Sequence, residues 1–180
     1  MSIPELYQRV IAPAMYEIGV LWEKGALTVA DEHLATALTH RVLAALRPPL
    51  RVDADAERSD QVRERAMLAT VQGEQHALGL RMAADVLEDA GFQTIYLGAD
   101  VPTEALLQAL DSLSPDLLAL SVTMPELKPR LEEVAGAVRR RHPEMSLILG
   151  GQAASPDLDR GTLIEDLERI PEALAGPPQV

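Results

Sequence analysis

A chain of 180 residues with 47% hydrophobic content is long enough for one large or two small packed domains. It has no cysteine, which excludes disulfides and thiolate metal sites, and its net charge of −12 opposes contact with a phosphate backbone, so no direct nucleic acid binding is expected. No apolar run approaches the length of a membrane span and no export signal opens the chain, so no membrane partner is expected and the cytoplasm is the expected compartment.

Ser2 stands three residues before Glu5, with Pro4 between them, which is the spacing of a capping box. A helical apolar pattern follows through Trp22, and Gly25 ends it. Pro13 lies inside this pattern and is expected to kink the helix or remove one backbone bond. A second helix is expected from near Thr28, with Asp31 three residues on, through Leu46 to a stop at Pro48-Pro49. The two helices make a hairpin. Residues 51–64 are polar and aperiodic and read as a linker.

From Arg65 short apolar runs alternate with amphipathic stretches, the texture of βαβ units and a parallel sheet. The predicted strands are Ala66 to Val71, Thr94 to Leu97, Leu117 to Val122 and Ser146 to Leu149. The predicted helices are Ala77 to Ala90, Thr103 to Leu113 and Pro125 to Arg141, with Gly91, Pro115 and Pro143 marking the turns into strands. Asp157 to Glu168 is charged and irregular, so a fifth strand is hard to find there, and a helix-like stretch closes toward Ala175. The basic cluster Arg139-Arg140-Arg141-His142 ends a predicted helix, where cations complement the helix dipole, and His142 before Pro143 is expected to face solvent.

Ligands of such sheets bind beyond the carboxyl ends of the strands. Three loops qualify: Gln72 to Gly79, Ser121 to Met124, and Gly150-Gly151. The first reads Gly73-Glu74-Gln75-His76-Ala77-Leu78-Gly79. A histidine there, with a carboxylate two residues earlier, suits a metal ligand whose imidazole is oriented by a hydrogen-bonded partner. Taken alone, His76 equally fits a helix-capping or partly exposed histidine. Glycines at a strand end also serve tight turns, and Ser121 with Thr123 also suits local backbone bonding.

The spacing Glu74, His76, Gly79 resembles the aspartate-x-histidine-x-x-glycine loop of cobalamin-binding domains, with glutamate in the acidic place. Ser121-Val122-Thr123 resembles the family's serine-x-threonine element, and Gly150-Gly151 its glycine pair. The resemblance implies that His76 ligates cobalt from below in place of the cofactor's own base. Glu74, Gln75, Ala77, Leu78 and Gly79 would surround it, and Ser121, Val122, Thr123, Gly150 and Gly151 would line the groove for the nucleotide tail. Trp22, nine further residues and then Glu32-His33 resemble the signature of CarH-type cobalamin-dependent photoreceptors, whose helical unit covers the upper corrin face. By that match Trp22 packs on a 5′-deoxyadenosyl group, Glu32 bonds its ribose, and Val29 and His33 lie close by. Read without the resemblance, Trp22 is the core residue of a helix pair.

Three departures separate the chain from that family. No segment of the 180 residues is expected to form a DNA-binding domain, there is space for one helix before Trp22 has been passed, and Glu23 stands where the photoreceptors place a histidine. The expectation is therefore an α/β, Rossmann-like (flavodoxin-like) cobalamin-binding domain over 65–180, preceded by a linker over 51–64 and a helical cap over 1–50. Its expected role is that of a stand-alone light sensor using adenosylcobalamin, not an enzyme, which signals as a homo-oligomer or through a separate regulatory protein. A corrinoid methyl carrier, using methylcobalamin, shares the same α/β domain and is the alternative. A mutase subunit would need a large substrate barrel, for which there is no segment.

Overall fold

Two capping boxes open the helices of residues 1–46. In the computed structural model, which describes residues 1–46, 64–156 and 161–174, the Ser2 hydroxyl accepts from Glu5 N–H at 3.3 Å while Ser2 N–H donates to the Glu5 carboxylate at 2.7 Å. Helix α1 (Ile3–Leu6) continues through a π-helical turn, Tyr7–Ile11, into α2 (Ala12–Glu23). Pro13 accounts for that turn. It has no N–H for the carbonyl four residues back, and the ladder lengthens so that Ala12 N–H reaches Tyr7 O. Gly25, at φ +70°, ends α2 with a pair of reversed bonds, Gly25 N–H to Trp22 O and Ala26 N–H to Leu21 O. Thr28 and Asp31 form the second box, with Thr28 N–H to the carboxylate at 2.9 Å and Asp31 N–H to the hydroxyl at 3.2 Å. They open α3 (Val29–Leu46). The hairpin is tied by the Thr39 hydroxyl against Met15 Sδ at 3.1 Å, and Tyr7 and Leu43 are buried. The expected stop at Pro48-Pro49 and residues 51–63 of the expected linker lie outside the described residues.

The chain divides into two units, 1–62 and 63–180. The second is a doubly wound sheet. Strands β1 (Arg65–Val71), β2 (Gln93–Val101), β3 (Leu117–Ser121), β4 (Ser146–Gly150) and β5 (Thr162–Ile164) lie in the order β2-β1-β3-β4-β5. All four pairings are parallel. Helices α4 (Leu78–Asp89), α5 (Thr103–Leu113), α6 (Lys128–Arg141) and the short α7 (Ile170–Leu174) complete it. β1 and β3 are apolar along almost their whole length because both of their faces are covered. Met67, Ala69 and Val71 pack with Leu118, Leu120, Leu147 and Leu149 against Leu106 and Leu110 of α5 and Leu131, Val134 and Val138 of α6. α4 covers the opposite face with α7 beside it.

Two expectations are corrected. A fifth strand does exist, Thr162–Ile164, pairing Leu149 with Leu163. Three residues show no periodicity in sequence, and only the exposed edge of β4 recruits them. His142 does not face solvent freely: its side chain is 21% exposed and its Nε2 lies 3.2 Å from an Asp111 carboxylate oxygen, beside the Arg141–Asp111 ion pair.

Candidate functional site

The sheet order reverses direction between β1 and β3. The chain leaves β1 toward β2 on one side, and leaves β3 toward β4 on the other, so the loops after these two strands diverge and leave a crevice. Glu74 spans that point. It sits in the loop after β1, fully buried, and its Oε2 accepts from the N–H groups of Thr123 at 2.7 Å and Met124 at 2.9 Å, in the loop after β3. Its Oε1 accepts from His76 N–H at 2.8 Å and lies 2.6 Å from His76 Nδ1. Burial pushes this carboxyl upward, but the N–H groups of His76, Met124 and Thr123 and the His76 ring outweigh it and hold it below the usual carboxylate range. Glu74 is therefore an anion, and an anion fixes the tautomer of its neighbour. In a neutral ring this contact places the proton on Nδ1 and leaves Nε2 as the outward donor atom, on a ring that is 59% exposed.

The local chain explains how the loop reaches this shape. Gly73 adopts φ +92° and gives the turn that sends Glu74 N–H back to Val71 O at 3.0 Å. α4 begins only at Leu78, with Ala77 in the cap position and no side chain capping it. His76 is thus not a helix cap. Leu78 and Gly79 already belong to the first turn of α4. Ser121 ends β3 nearly buried, Thr123 is half-buried, and Val122 is wholly in the core, so its side chain does not reach the crevice and only its backbone is available. Gly150 ends β4, and Gly151 turns away at φ +94°.

Thr70 and Asp100 also belong to the site, though no motif in the sequence singles them out. The Thr70 hydroxyl, buried at the penultimate position of β1, donates to Glu74 O at 2.7 Å, and Asp100 from β2 bonds the loop at several points. Asp100 lies three residues beyond the expected end of its strand at Leu97, so no local pattern marked it.

In the helical unit Trp22 is 45% exposed, outside any core, so the reading of it as the core of a helix pair is set aside. Val29 and His33 are exposed as well. Glu32, partly buried, is engaged at both oxygens, by the Thr36 hydroxyl at 2.8 Å and by His33 Nδ1 at 2.7 Å.

The parallel sheet thus holds one carboxylate-oriented imidazole beyond its switch point. Among the described residues no three His, Asp or Glu groups gather to hold a bare ion, so a metal at His76 would bring its remaining ligands with it. The B12 binding domain family matches residues 64–166, and a second family of the same description matches residues 1–47. The chain belongs to the B12 binding domain family. It is 30% identical over 156 residues to the HTH-type transcriptional repressor CarH of Myxococcus xanthus, covering 85% of this chain and 50% of that protein. It is 23% identical over 153 residues to dimethylamine corrinoid protein 1 of Methanosarcina acetivorans, covering 84% of this chain and 70% of the other. The chain thus spans about half the length of the repressor it matches. Its fold matches the monomethylamine corrinoid protein of Methanosarcina barkeri with a TM-score of 0.76 at 16% identity, over 97% of this chain and 83% of that one.

Proposed function

We propose that this chain is a cobalamin-binding sensor module in which His76 Nε2 is the lower cobalt ligand and adenosylcobalamin is the light-sensitive form. The observation that carries the ligation is the buried Glu74 holding His76 by Nδ1, which leaves one outward nitrogen donor, while among the described residues no group of three His, Asp or Glu gathers to hold a metal. That donor set would fit a cobalt ion already held in a corrin ring, to which the protein would supply one nitrogen. Cobalamin supplies a cobalt–carbon bond to its upper group that light breaks. The chain's residues do the rest. Glu74 orients the imidazole, the hydroxyls of Ser121 and Thr123 with the backbone at Gly150 offer a polar wall for the nucleotide tail, and Trp22, Val29, Glu32 and His33 select the upper group. An indole offers an apolar wall to adenine, and a carboxylate accepts from two sugar hydroxyls. Loss of that group would remove the contacts that Trp22, Val29, Glu32 and His33 would make with it, and a two-state element of this kind would signal by shape or association, with itself or with a separate regulator. On this reading the chain is a regulator's cofactor module and not an enzyme. The relation to a transcriptional repressor over most of the chain supports it.

A methyl carrier serving a methyltransferase is the second reading, favoured by the relation to a dimethylamine corrinoid protein. Two measurements separate them. Trp22→Ala and Glu32→Ala are expected to weaken adenosylcobalamin by roughly tenfold or more, as befits a lost charged hydrogen bond or aromatic contact, and methylcobalamin much less. Absorbance titrations with each cofactor check this, and equal losses for both favour the carrier. Green light is expected to change the elution volume or low-angle scattering of the adenosylcobalamin-loaded protein. Complete photolysis with an unchanged profile would remove the sensor reading.

A further inference from the structure

The loop that carries His76 is gripped from a second direction, by a residue on the neighbouring edge strand. Asp100 lies near the carboxyl end of β2, at a place where the pairing with β1 slips: Ala69 pairs Gly98, but Val71 pairs Val101. Two steps along β1 oppose three along β2. Such an extra residue re-aims a side chain that regular pleating would direct elsewhere. Asp100 also adopts φ +54°, left-handed backbone that a residue with a Cβ enters at a cost, though aspartate tolerates it better than most.

The result is a set of bonds that converge on residues 73–75. Asp100 Oδ1 accepts from Gly73 N–H at 2.7 Å, and Oδ2 from Gln75 Nε2 at 3.2 Å. Asp100 N–H donates to Glu74 O at 2.9 Å and to the Thr70 hydroxyl at 2.9 Å, while that hydroxyl itself donates to Glu74 O. The side chain of Glu74 faces the opposite way, toward the loop after β3 and toward His76. The backbone of the loop is thus tied to β2 and its working carboxylate to β3.

We propose that Asp100 is a positioning residue for metal ligation: it fixes the backbone at Gly73 to Gln75 so that Glu74 presents His76 at one height and angle. This rests on the reading of His76 as the cobalt ligand. Strain in the backbone at Asp100, a bulge aimed at the loop, and a carboxylate spent on one backbone N–H and one side-chain amide all have the same target. Fold stability alone would not require that target, because β1 and β2 are already paired from Arg65 to Leu68.

Three variants separate the backbone requirement from the carboxylate. Asp100→Gly admits the positive φ but has no side chain, Asp100→Asn keeps φ tolerance and an acceptor for Gly73, and Asp100→Ala lacks both. The protein, labelled with 15N-histidine, is loaded with cob(II)alamin, and the axial nitrogen is read from the superhyperfine pattern of the electron paramagnetic resonance spectrum. A doublet reports histidine and a triplet the cofactor's own unlabelled base. Asp100→Gly is expected to lower the ratio of histidine-bound to base-bound cobalt by roughly tenfold or more, with Asp100→Ala at least as low and Asp100→Asn restoring most of it. Thermal midpoints of the cofactor-free Gly variant and wild type, within a few degrees of each other, confirm that the fold is retained. A full doublet in Asp100→Gly overturns the role of Asp100 alone. A wild-type spectrum that His76→Ala leaves unchanged overturns the assignment of His76, and the positioning role with it.

Discussion

His76→Ala is expected to abolish the cobalt–histidine absorbance signature of the loaded protein while leaving the fold intact. His76 is the one histidine of the α/β unit at the carboxyl ends of the strands, since His142 follows α6 and precedes β4 at the opposite end of the sheet. Its ring is mostly exposed and its contact is with Glu74. Truncation therefore costs one charge-assisted hydrogen bond and no core volume. Glu74 Oε1 keeps His76 N–H as a donor, and Oε2 keeps Thr123 and Met124. A destabilisation of about 1–2 kcal/mol is expected, which lowers the thermal midpoint by a few degrees in a chain of this size. The spectral change should by contrast be complete, because the Nε2 donor is gone and the remaining alanine offers nothing to a metal. Absorbance of wild type and variant, each loaded with methylcobalamin, checks it. A variant that keeps the wild-type signature would remove His76 from the site.

The sequence made some of this legible because the relevant forces act between near neighbours. Both capping boxes lie within four residues, and Ser2 with Glu5 and Thr28 with Asp31 bond as their spacing requires. β1, β3 and β4 announce themselves as apolar runs, since a central parallel strand is covered on both faces. Glu74 and His76 were legible for the same reason, being two residues apart. What stayed hidden depends on pairing between strands. β2 continues past Leu97 through Gly98, Ala99 and Asp100, which strand propensity disfavours, because β1 holds it there with a slipped register. Thr70 and Asp100 meet Glu74 only once β1 and β2 lie side by side, and no local spacing records that. Val122 was grouped with Ser121 and Thr123 by motif, yet strand alternation turns it into the core. The roles of Trp22, Val29, Glu32 and His33 rest on resemblance, to which the structure adds that all but Glu32 are exposed.

The glycine pair after β4 divides into two different requirements, and substitution should separate them. A Cβ on Gly151 would lie 2.1 Å from the carbonyl oxygen of Val122 and 2.9 Å from Ser121 Oγ, and it would have to adopt φ +94°. Both obstacles belong to the protein. The carbonyl cannot yield easily, because it accepts from Ala153 N–H at 3.2 Å, while Val122 N–H is held by Gly150 O at 3.0 Å. Gly151→Ala is therefore expected to destabilise the cofactor-free protein by about 2–4 kcal/mol, the range for a strained backbone plus a forced displacement of packed neighbours. In a chain of this length that lowers the thermal midpoint by roughly 5–15 °C. At Gly150 a Cβ would meet only Ile164 O at 3.4 Å, an ordinary contact, with no positive φ. Gly150→Ala should leave the midpoint within a few degrees, and any loss it shows in cobalamin affinity then reports the ligand's approach to the backbone. Thermal melts of the two cofactor-free variants decide the matter. Equal midpoints would mean that the loop after β4 yields freely, and the need for glycine at 151 would then have to come from the bound tail.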